Sequence, residues 1–215
     1  PVVGSEELHI VQSDNFSSDH LKSVWQWNHN PIDSLWSLSE RPGFLRLKTG
    51  RVVSSIFAAP NTISQRMEGP GCTAIVALDI SHLTDGDKAG LAAFNGDSGL
   101  LTLSRMGKSF TLEMSEASVS LSDREKAITN VKETVVEQVK VKQRHVYLRI
   151  DADFRPGRDI ASFYYSLDNR TWHKIGRDFK MRFDYRRFFM GTRVALFCYA
   201  TQKAGGYVAV SYTHL

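Results

Sequence analysis

The chain has 215 residues, of which 42% are hydrophobic and 23% are charged, values ordinary for a soluble globular domain. Its 27 basic and 23 acidic residues leave a net charge of only +4. Proteins that bind nucleic acid or a membrane surface more often concentrate positive charge in one patch. No apolar run approaches the ~20 residues needed to cross a bilayer. Composition therefore favours one soluble domain with neither a nucleic-acid nor a membrane partner.

The N-terminal stretch PVVGSEELHI lacks the charged and apolar regions of a signal peptide. We expect it to begin a module of a longer chain, which leaves the cellular compartment open. Cys72 and Cys198 are the only cysteines, and each lies in an apolar run with strand character. This setting favours buried free thiols, although two cysteines do not exclude a disulfide.

Short β-branched or aromatic runs dominate the sequence, and turn sequences such as RPG, EGPG, TDGD and NGDSG separate most of them. No recurring helical pattern lies between the runs, so an antiparallel all-β sandwich is predicted rather than an α/β fold. A helical turn is predicted only over 184–189. The predicted strands cover 44–49, 72–80, 99–105, 109–114, 145–150, 161–167, 193–200 and 205–212.

Apolar residues alternate with polar ones between 131 and 141, which predicts a strand with its odd-numbered valines on one face. The alternation changes phase at Val146, so a hairpin is predicted near Lys142–Arg144. The cations of KVKQRH (140–145) are then expected on a solvated strand face or at a hairpin tip, rather than in a polyanion site.

The sequence contains no recognisable catalytic motif. A G-x-S-x-G elbow, an H-E-x-x-H helix, a P-loop and paired C-x-x-C sequences are all absent, and the seven histidines are scattered. Several turns contain aspartate, but aspartate is also a common turn residue, and a glycosidase needs two carboxyl groups at a defined separation. No catalytic residue is assigned.

Five segments, in this order, resemble the C-terminal module of glycoside hydrolase family 43, the β-xylosidases and related arabinofuranosidases. They are WQWNHNP…LWSLSERPGFLRL (25–47), NTISQRMEGP (61–70), DGDKAGLAAF (85–94), FYYSLDNRTWHKIG (163–176) and MGTRVALFCYATQKAGGYV (190–208). The resemblance covers residues 13–213. It implies that 1–215 is a single concanavalin A-like, jelly-roll β-sandwich of two antiparallel sheets.

The resemblance also implies an accessory module, because the catalytic carboxylates of such enzymes lie in a separate β-propeller. Two roles follow: binding of xylan or arabinoxylan-type polysaccharide, and packing against the propeller so that a loop completes its active-site pocket. A stand-alone glycosidase is the remaining alternative. The compartment stays unknown, with a soluble periplasmic or secreted bacterial protein as the expectation.

Sugar-binding surfaces combine aromatic faces with amide and charged groups, and so do parts of this sequence. In WQWNHNP, Trp25 is expected in the core, whereas the strand end before Pro31 favours exposure of the following residues. The candidates for carbohydrate or interdomain contact are Trp27, Asn28, His29, Asn61, Gln65, Arg66, Tyr164 and Tyr199.

Two departures from the family pattern affect these expectations. Pro60 stands where family members commonly have an arginine, so any contact made by that arginine is absent. Related sandwiches often bind a structural Ca²⁺ through an early acidic segment and an aspartate of the last strand. Here Asp14 is retained but Ser211 stands near the second position, which weakens the predicted calcium site.

Overall fold

A computed structural model of the chain describes residues 11–124, 127–184 and 190–214. Within these ranges the chain forms two antiparallel β-sheets and no α-helix, which confirms the predicted all-β sandwich. The helical turn predicted over 184–189 falls almost entirely outside the described residues. No helix in the described ranges is long and apolar enough to cross a membrane.

The described residues form fifteen strands and two short 3-10 helices, Asp33–Leu35 and Ile56–Ala58. In chain order the strands are β1 (Gln26–Trp27), β2 (Trp36–Ser37), β3 (Leu45–Lys48), β4 (Ile63–Arg66), β5 (Gly71–Asp79), β6 (Asp87–Phe94), β7 (Asp97–Met106), β8 (Ser109–Leu121), β9 (Ile128–Val141), β10 (His145–Asp153), β11 (Ile160–Ser166), β12 (His173–Lys174), β13 (Phe179–Lys180), β14 (Arg193–Ala200) and β15 (Tyr207–His214).

Each sheet contains strands from both the early and the late parts of the chain, as expected for a jelly roll. The seven-stranded sheet has the spatial order β1-β4-β14-β6-β7-β8-β9. The eight-stranded sheet has the order β12-β11-β10-β5-β15-β3-β2, and β13 pairs with β11. Distant parts of the sequence therefore meet as neighbouring strands, because β4 pairs with β14 and β5 with β15.

Alternate residues of the strands point into the space between the sheets and form one hydrophobic core. From the eight-stranded sheet this core contains Leu45, Leu78 and Phe163, and from the other sheet Leu91 and Leu103, all at most 2% exposed. The core is thus formed by the same period-two pattern that predicted the strands.

Strand β9 changes face along its length. Val139 and Val141 pack into the core between the sheets, whereas Val131 packs on the opposite face of the seven-stranded sheet. A β-bulge opposite Met114 and Ser115 causes the change, since one extra residue inverts the alternation of side chains. The prediction that the odd-numbered valines share one face is therefore wrong.

The predicted hairpin is confirmed, because β9 ends at Val141 and β10 begins at His145. The NGDSG sequence forms the turn between β6 and β7, also as predicted. Both cysteines are free; Cys198 is buried and Cys72 is partly buried. Burial raises the pKa of both thiols, so neither is a reactive thiolate at neutral pH.

Candidate functional site

The face of the seven-stranded sheet that points away from the core, here called the outer face, carries a second apolar cluster. Its aromatic members Phe94, Phe197 and Tyr199 are at most 2% exposed. Phe197 lies opposite Gly90 of β6. A Cβ atom at Gly90 would lie 3.1 Å from the Phe197 ring and 1.8 Å from the Leu101 carbonyl oxygen, so a glycine is required for this packing.

Residues 53–60, here called the covering loop, lie over these aromatic side chains. The loop contains the second 3-10 helix, and its Phe57 ring packs against Phe94 with centroids 5.5 Å apart. The Val53 N–H donates to the Ala200 carbonyl oxygen at 2.9 Å, which attaches the start of the loop to the end of β14. The covering loop therefore closes the middle of the outer face and leaves its β9 side open.

A groove of about 460 Å³ lies between the covering loop and the first half of β9. We call it the outer groove, and its size lies within the range of ligand-binding pockets. Its lining combines apolar side chains with hydroxyl, amide and carboxylate groups. The lining residues are Ser54, Ser55, Phe57, Ala58, Ile128, Thr129, Asn130, Val131 and Glu133.

The outer groove is mildly acidic. Among the described residues that line it, Glu133 is the only charged one. The Ser115 hydroxyl donates to the Glu133 carboxylate at 2.7 Å, which orients this group. Burial raises the pKa of the adjacent Tyr199, and the charges of Glu133 and Glu113 raise it further, so the phenol is neutral at physiological pH. A neutral ligand suits this electrostatic environment better than an anionic one.

The two tryptophans of WQWNHNP differ in burial. Trp25 is 7% exposed and its indole N–H donates to the Asp14 carboxylate at 2.9 Å, which confirms that it belongs to the core. Trp27 is only partly buried, and its ring lies 5.2 Å from that of Trp36. Part of the Trp27 ring is therefore accessible at the edge of the sandwich.

Asn28 and His29 contact the segment that carries the covering loop. The Asn28 backbone N–H donates to the Thr62 carbonyl oxygen at 2.9 Å. The His29 ring N–H donates to the Phe57 carbonyl oxygen at 2.8 Å, and the His29 side chain is otherwise exposed. The segment that was predicted to contact sugar is thus hydrogen-bonded to the chain around the covering loop, which forms one wall of the outer groove.

Asn61 and Gln65 are buried, and their amides serve the backbone. The Asn61 amide accepts from the Ile32 N–H and donates to the Ile32 carbonyl oxygen, each at 2.9 Å. The Gln65 amide pairs in the same way with Gln12, at 3.2 and 3.0 Å. Each amide thus makes the two backbone hydrogen bonds that a neighbouring strand would otherwise provide. Neither side chain is accessible at the surface.

The remaining three candidates are far apart in the fold. Arg66 is exposed on the outer face, at the end of β4 and opposite Arg193 of β14. Tyr164 lies on the outside of the eight-stranded sheet, where the Arg149 guanidinium lies 5.3 Å from the centre of its ring. Tyr199 lies beneath the covering loop. The eight candidates therefore do not form one continuous surface.

Asp14 is a structural acceptor. Its carboxylate accepts from the Phe16 N–H and from the Trp25 indole N–H, both at 2.9 Å, and its backbone pairs with Thr213. Both carboxylate oxygens are thus directed at N–H donors, and Ser211 lies at a bulge in β15. The described residues contain no cluster of three or more metal-ligating side chains. This arrangement does not fit the calcium site expected at Asp14 and Ser211.

The chain matches the family described as "Beta xylosidase C-terminal Concanavalin A-like domain" over residues 13–215. The match covers nearly the whole sandwich. The chain belongs to this family.

Relatives of the chain are glycoside hydrolases by name. It is 28% identical to a β-xylosidase of Formosa agariphila over 93% of its own length. The structure of a bifunctional "GH43-CE" protein of Bacteroides eggerthii superposes with a TM-score of 0.85 at 40% identity over 95% of the chain. That of an engineered family 43 enzyme, described as having both endo-xylanase and exo-arabinofuranosidase activity, gives a TM-score of 0.87 at 29% identity over 98%.

The chain spans only part of each of these proteins: 34% of the β-xylosidase, 25% of the bifunctional protein and 41% of the engineered enzyme. It is thus a C-terminal module of the kind found in family 43 glycoside hydrolases, as the sequence resemblance implied. The family match concerns the sandwich alone.

The sequence patterns did not predict the outer groove. Ile128 and Asn130 lie before the strand predicted over 131–141, and Glu133 is one polar residue of its alternating pattern. The only sequence signal was the unusual length of the alternating segment, which extends β9 well beyond the edge of the core. The covering loop that forms the other wall comes from a segment 70 residues earlier, with no pattern linking the two.

Proposed function

We propose that this chain is a non-catalytic accessory module of a family 43 glycoside hydrolase, and that it binds xylan or arabinoxylan-type polysaccharide in the outer groove. The observation that carries the proposal is the mixed lining of that groove, with exposed apolar side chains beside amide, hydroxyl and carboxylate groups. The fold and family of the module are established; its ligand is the proposal.

The chemistry of xylan matches this lining. A xylose unit offers an apolar ring face and several hydroxyl groups, and it carries no charge. Ile128 and Val131 provide apolar contact, while Asn130 and Glu133 provide donors and acceptors for hydroxyls. The names of the relatives, a β-xylosidase and an enzyme with endo-xylanase and exo-arabinofuranosidase activity, support the same class of polysaccharide.

Calorimetric titration of the chain with xylo-oligosaccharides tests the proposal directly. Asn130→Ala is expected to weaken binding by about tenfold, since it removes a hydrogen-bonding side chain. Thr134→Ala is the matched control, because Thr134 is exposed on the same strand but does not line the outer groove. The absence of binding at millimolar ligand, with no retardation in gels that contain arabinoxylan, would refute the proposal.

The sequence-predicted residues Trp27 and His29 have an indirect part in this proposal. His29 holds the covering loop through the Phe57 carbonyl, whereas Trp27 packs against the main core and the Trp36 ring. We expect His29→Ala and Trp27→Ala to weaken binding less than Asn130→Ala does. A larger loss for Trp27→Ala would instead place the sugar on the Trp27 ring.

The non-catalytic part of the proposal has its own test. The isolated chain is expected not to hydrolyse nitrophenyl xylosides or arabinofuranosides. If hydrolysis survives purification to homogeneity and is abolished by Glu133→Gln, the chain is an enzyme and the accessory role fails.

Packing against a catalytic β-propeller is the second candidate, and one observation favours it. Phe183 is 63% exposed, although the segment that carries it is tied to the sandwich. The Asn95 amide donates to the carbonyl oxygens of Arg182 and Met190, at 3.5 and 3.1 Å. An aromatic side chain held outward on an anchored segment suits burial against another domain.

The experiment for this role uses the full-length parent protein. Phe183→Ser is expected to lower its melting temperature and its activity on small xylosides, while leaving xylan binding by the isolated chain unchanged. Leu167→Ser is the control, since Leu167 is also exposed (41%) but lies in the β11–β12 turn. Equal behaviour of the two variants would exclude a specific contact at Phe183.

A further inference from the structure

A second cleft lies at the other end of the β8–β9 pair from the outer groove. It has a volume of about 320 Å³, and we call it the basic cleft. Its walls come from the β7–β8 turn, the last residues of β9 and the β9–β10 turn. The residues that define it are Lys108, Phe110, Lys140, Val141, Lys142 and Arg144.

The rim of the basic cleft is positively charged. Lys108, Lys140, Lys142 and Arg144 are all exposed, and within the described parts of the chain none of them forms an ion pair. Ser109 supplies the remaining polar group, and no described lining residue is acidic. Four unpaired cations around one cleft repel each other, so an anion bound between them would be stabilised.

The floor of the basic cleft is apolar. Phe110 is 3% exposed and Val141 is 5% exposed, and the two are cross-strand partners. The Arg144 guanidinium lies 4.3 Å from the centre of the Phe110 ring, a cation–π contact that holds this long side chain at the rim. The cleft therefore has one positioned guanidinium, held over a Phe110 ring that is itself almost fully buried.

This combination distinguishes between anionic ligands. Nucleic acid is bound through a long track of cations along its backbone, whereas these four cations surround one cleft of about 320 Å³. A uronic acid suits one compact cleft, because it carries a single carboxylate on a single sugar ring, and that carboxylate can accept two parallel hydrogen bonds from a guanidinium.

We propose that the basic cleft binds the uronic acid residue of an acidic polysaccharide, with Arg144 and Lys142 at the carboxylate. The inference goes beyond the binding of neutral xylan in the outer groove and does not depend on it. The two sites lie at opposite ends of β9 and have opposite charge.

A matched pair of ligands tests the inference: a xylo-oligosaccharide that carries one glucuronic acid, and the same compound after reduction of its carboxyl group. The acidic compound is expected to bind the 215-residue chain at least about tenfold more tightly at low salt, as for a charge-assisted contact. This advantage should shrink as salt is raised. Equal affinity for the two compounds would overturn the inference.

Variants then locate the site. Arg144→Gln is expected to abolish the advantage of the acidic compound, and Arg144→Lys to restore part of it. Lys132→Gln is the matched control, since Lys132 is an exposed cation of β9 outside the basic cleft. Thermal melts confirm that each variant folds. Persistence of the advantage in Arg144→Gln would overturn the assignment.

Two further outcomes are informative. Equally effective competition by a DNA oligonucleotide would show general anion binding and reject a uronic acid site. Asn130→Ala in the outer groove is expected to weaken binding of the reduced compound and to leave the additional binding of the acidic compound at the basic cleft unchanged. Failure of the neutral-xylan proposal is therefore distinguishable from failure of this one.

Discussion

The two faces of the seven-stranded sheet bury apolar side chains by different means. The inner face packs against the other sheet over its whole area and contributes residues such as Leu91 and Leu103 to the main core. Among the described residues, the covering loop packs above the outer face and shields Phe94, Phe197 and Tyr199, and Met190 packs against the same cluster. The inner cluster is therefore protected by two rigid layers, whereas the outer cluster is covered mainly by a loop in the described part of the chain.

This difference explains why an aromatic surface was expected and a groove was found. Alternation in β14 places Phe197 and Tyr199 on the face opposite Cys198. Without a covering segment, this outward-pointing face of the sheet would be exposed to solvent, and Tyr199 would be a candidate for stacking against a sugar ring. Because the covering loop lies over it, the open surface shifts to the boundary between the loop and β9.

The largest effect on stability is expected from the inner cluster. Phe163→Ala should lower the free energy of unfolding by about 3–5 kcal/mol, because Phe163 is fully buried between two sheets that cannot close the cavity. Urea denaturation measures the change. Leu167→Ala, at a position 41% exposed, should cost less than about 0.5 kcal/mol. Similar losses for the two variants would contradict the assignment of the core.

Phe57→Ala tests the outer cluster, and its expected cost is smaller, about 1–3 kcal/mol, since a loop relaxes more readily than a sheet. It should also expose Tyr199 and lower the raised pKa of this phenol toward its ordinary value. Alkaline titration followed by phenolate absorbance measures that shift. A loss as large as that of Phe163→Ala, with an unchanged Tyr199 titration, would show that the loop is an integral part of the core.

Asp14→Ala tests the edge where the N-terminal segment closes the inner cluster. Removing the carboxylate leaves the buried indole N–H of Trp25 without an acceptor, so a loss of about 1–3 kcal/mol is expected. Asp19→Ala, at a side chain that is 96% exposed, should leave the melting temperature unchanged. The melting temperature is also expected to be the same with calcium as with a chelator; a calcium-dependent increase that requires Asp14 would establish a metal site there.

The smallest effect is expected at the rim of the inner cluster, at the end of β5. Burial alone would raise the pKa of Asp79, but hydrogen bonds from Ser81 and Arg41, together with the charge of His145, lower it to about 2. Because the folded-state pKa is below the unfolded value, this carboxylate stabilises the fold above about pH 4 and the contribution is lost as pH falls toward 2.

The corresponding stability is about 1–2 kcal/mol after allowance for the partly exposed Arg41. Unfolding free energies measured across this pH range should show a shallower acid decline in Asp79→Asn than in the unchanged chain. An identical pH dependence would mean that Asp79 has an ordinary pKa.

Much of the fold could be predicted from local patterns. Period-two alternation and turn chemistry identified nine strands, the β9–β10 hairpin and the turn at NGDSG, all of which the structure contains. Strand β6 was missed because its residues KAGLAAF are rich in alanine and glycine, which favour strands weakly. Its small side chains make sense only in the sheet, where Gly90 makes room for Phe197.

The candidate site was less predictable. The sequence contains suitable residue types, but Asn61 and Gln65 use their amides to bind backbone groups of distant segments, at Ile32 and Gln12. The bulge in β9 is also invisible to sequence, because the apolar residues on either side of it keep a plausible alternation.

By itself, the sequence determined the class of fold, the positions of most strands, the burial of Trp25 and the family to which the chain belongs. These follow from interactions between residues close in the chain, or from a pattern of segments in fixed order. Only the tertiary structure decided which aromatic residues are covered, where the outer groove opens and how four cations gather around Phe110. Each of these depends on contacts between segments far apart in sequence, whose partners no local pattern specifies.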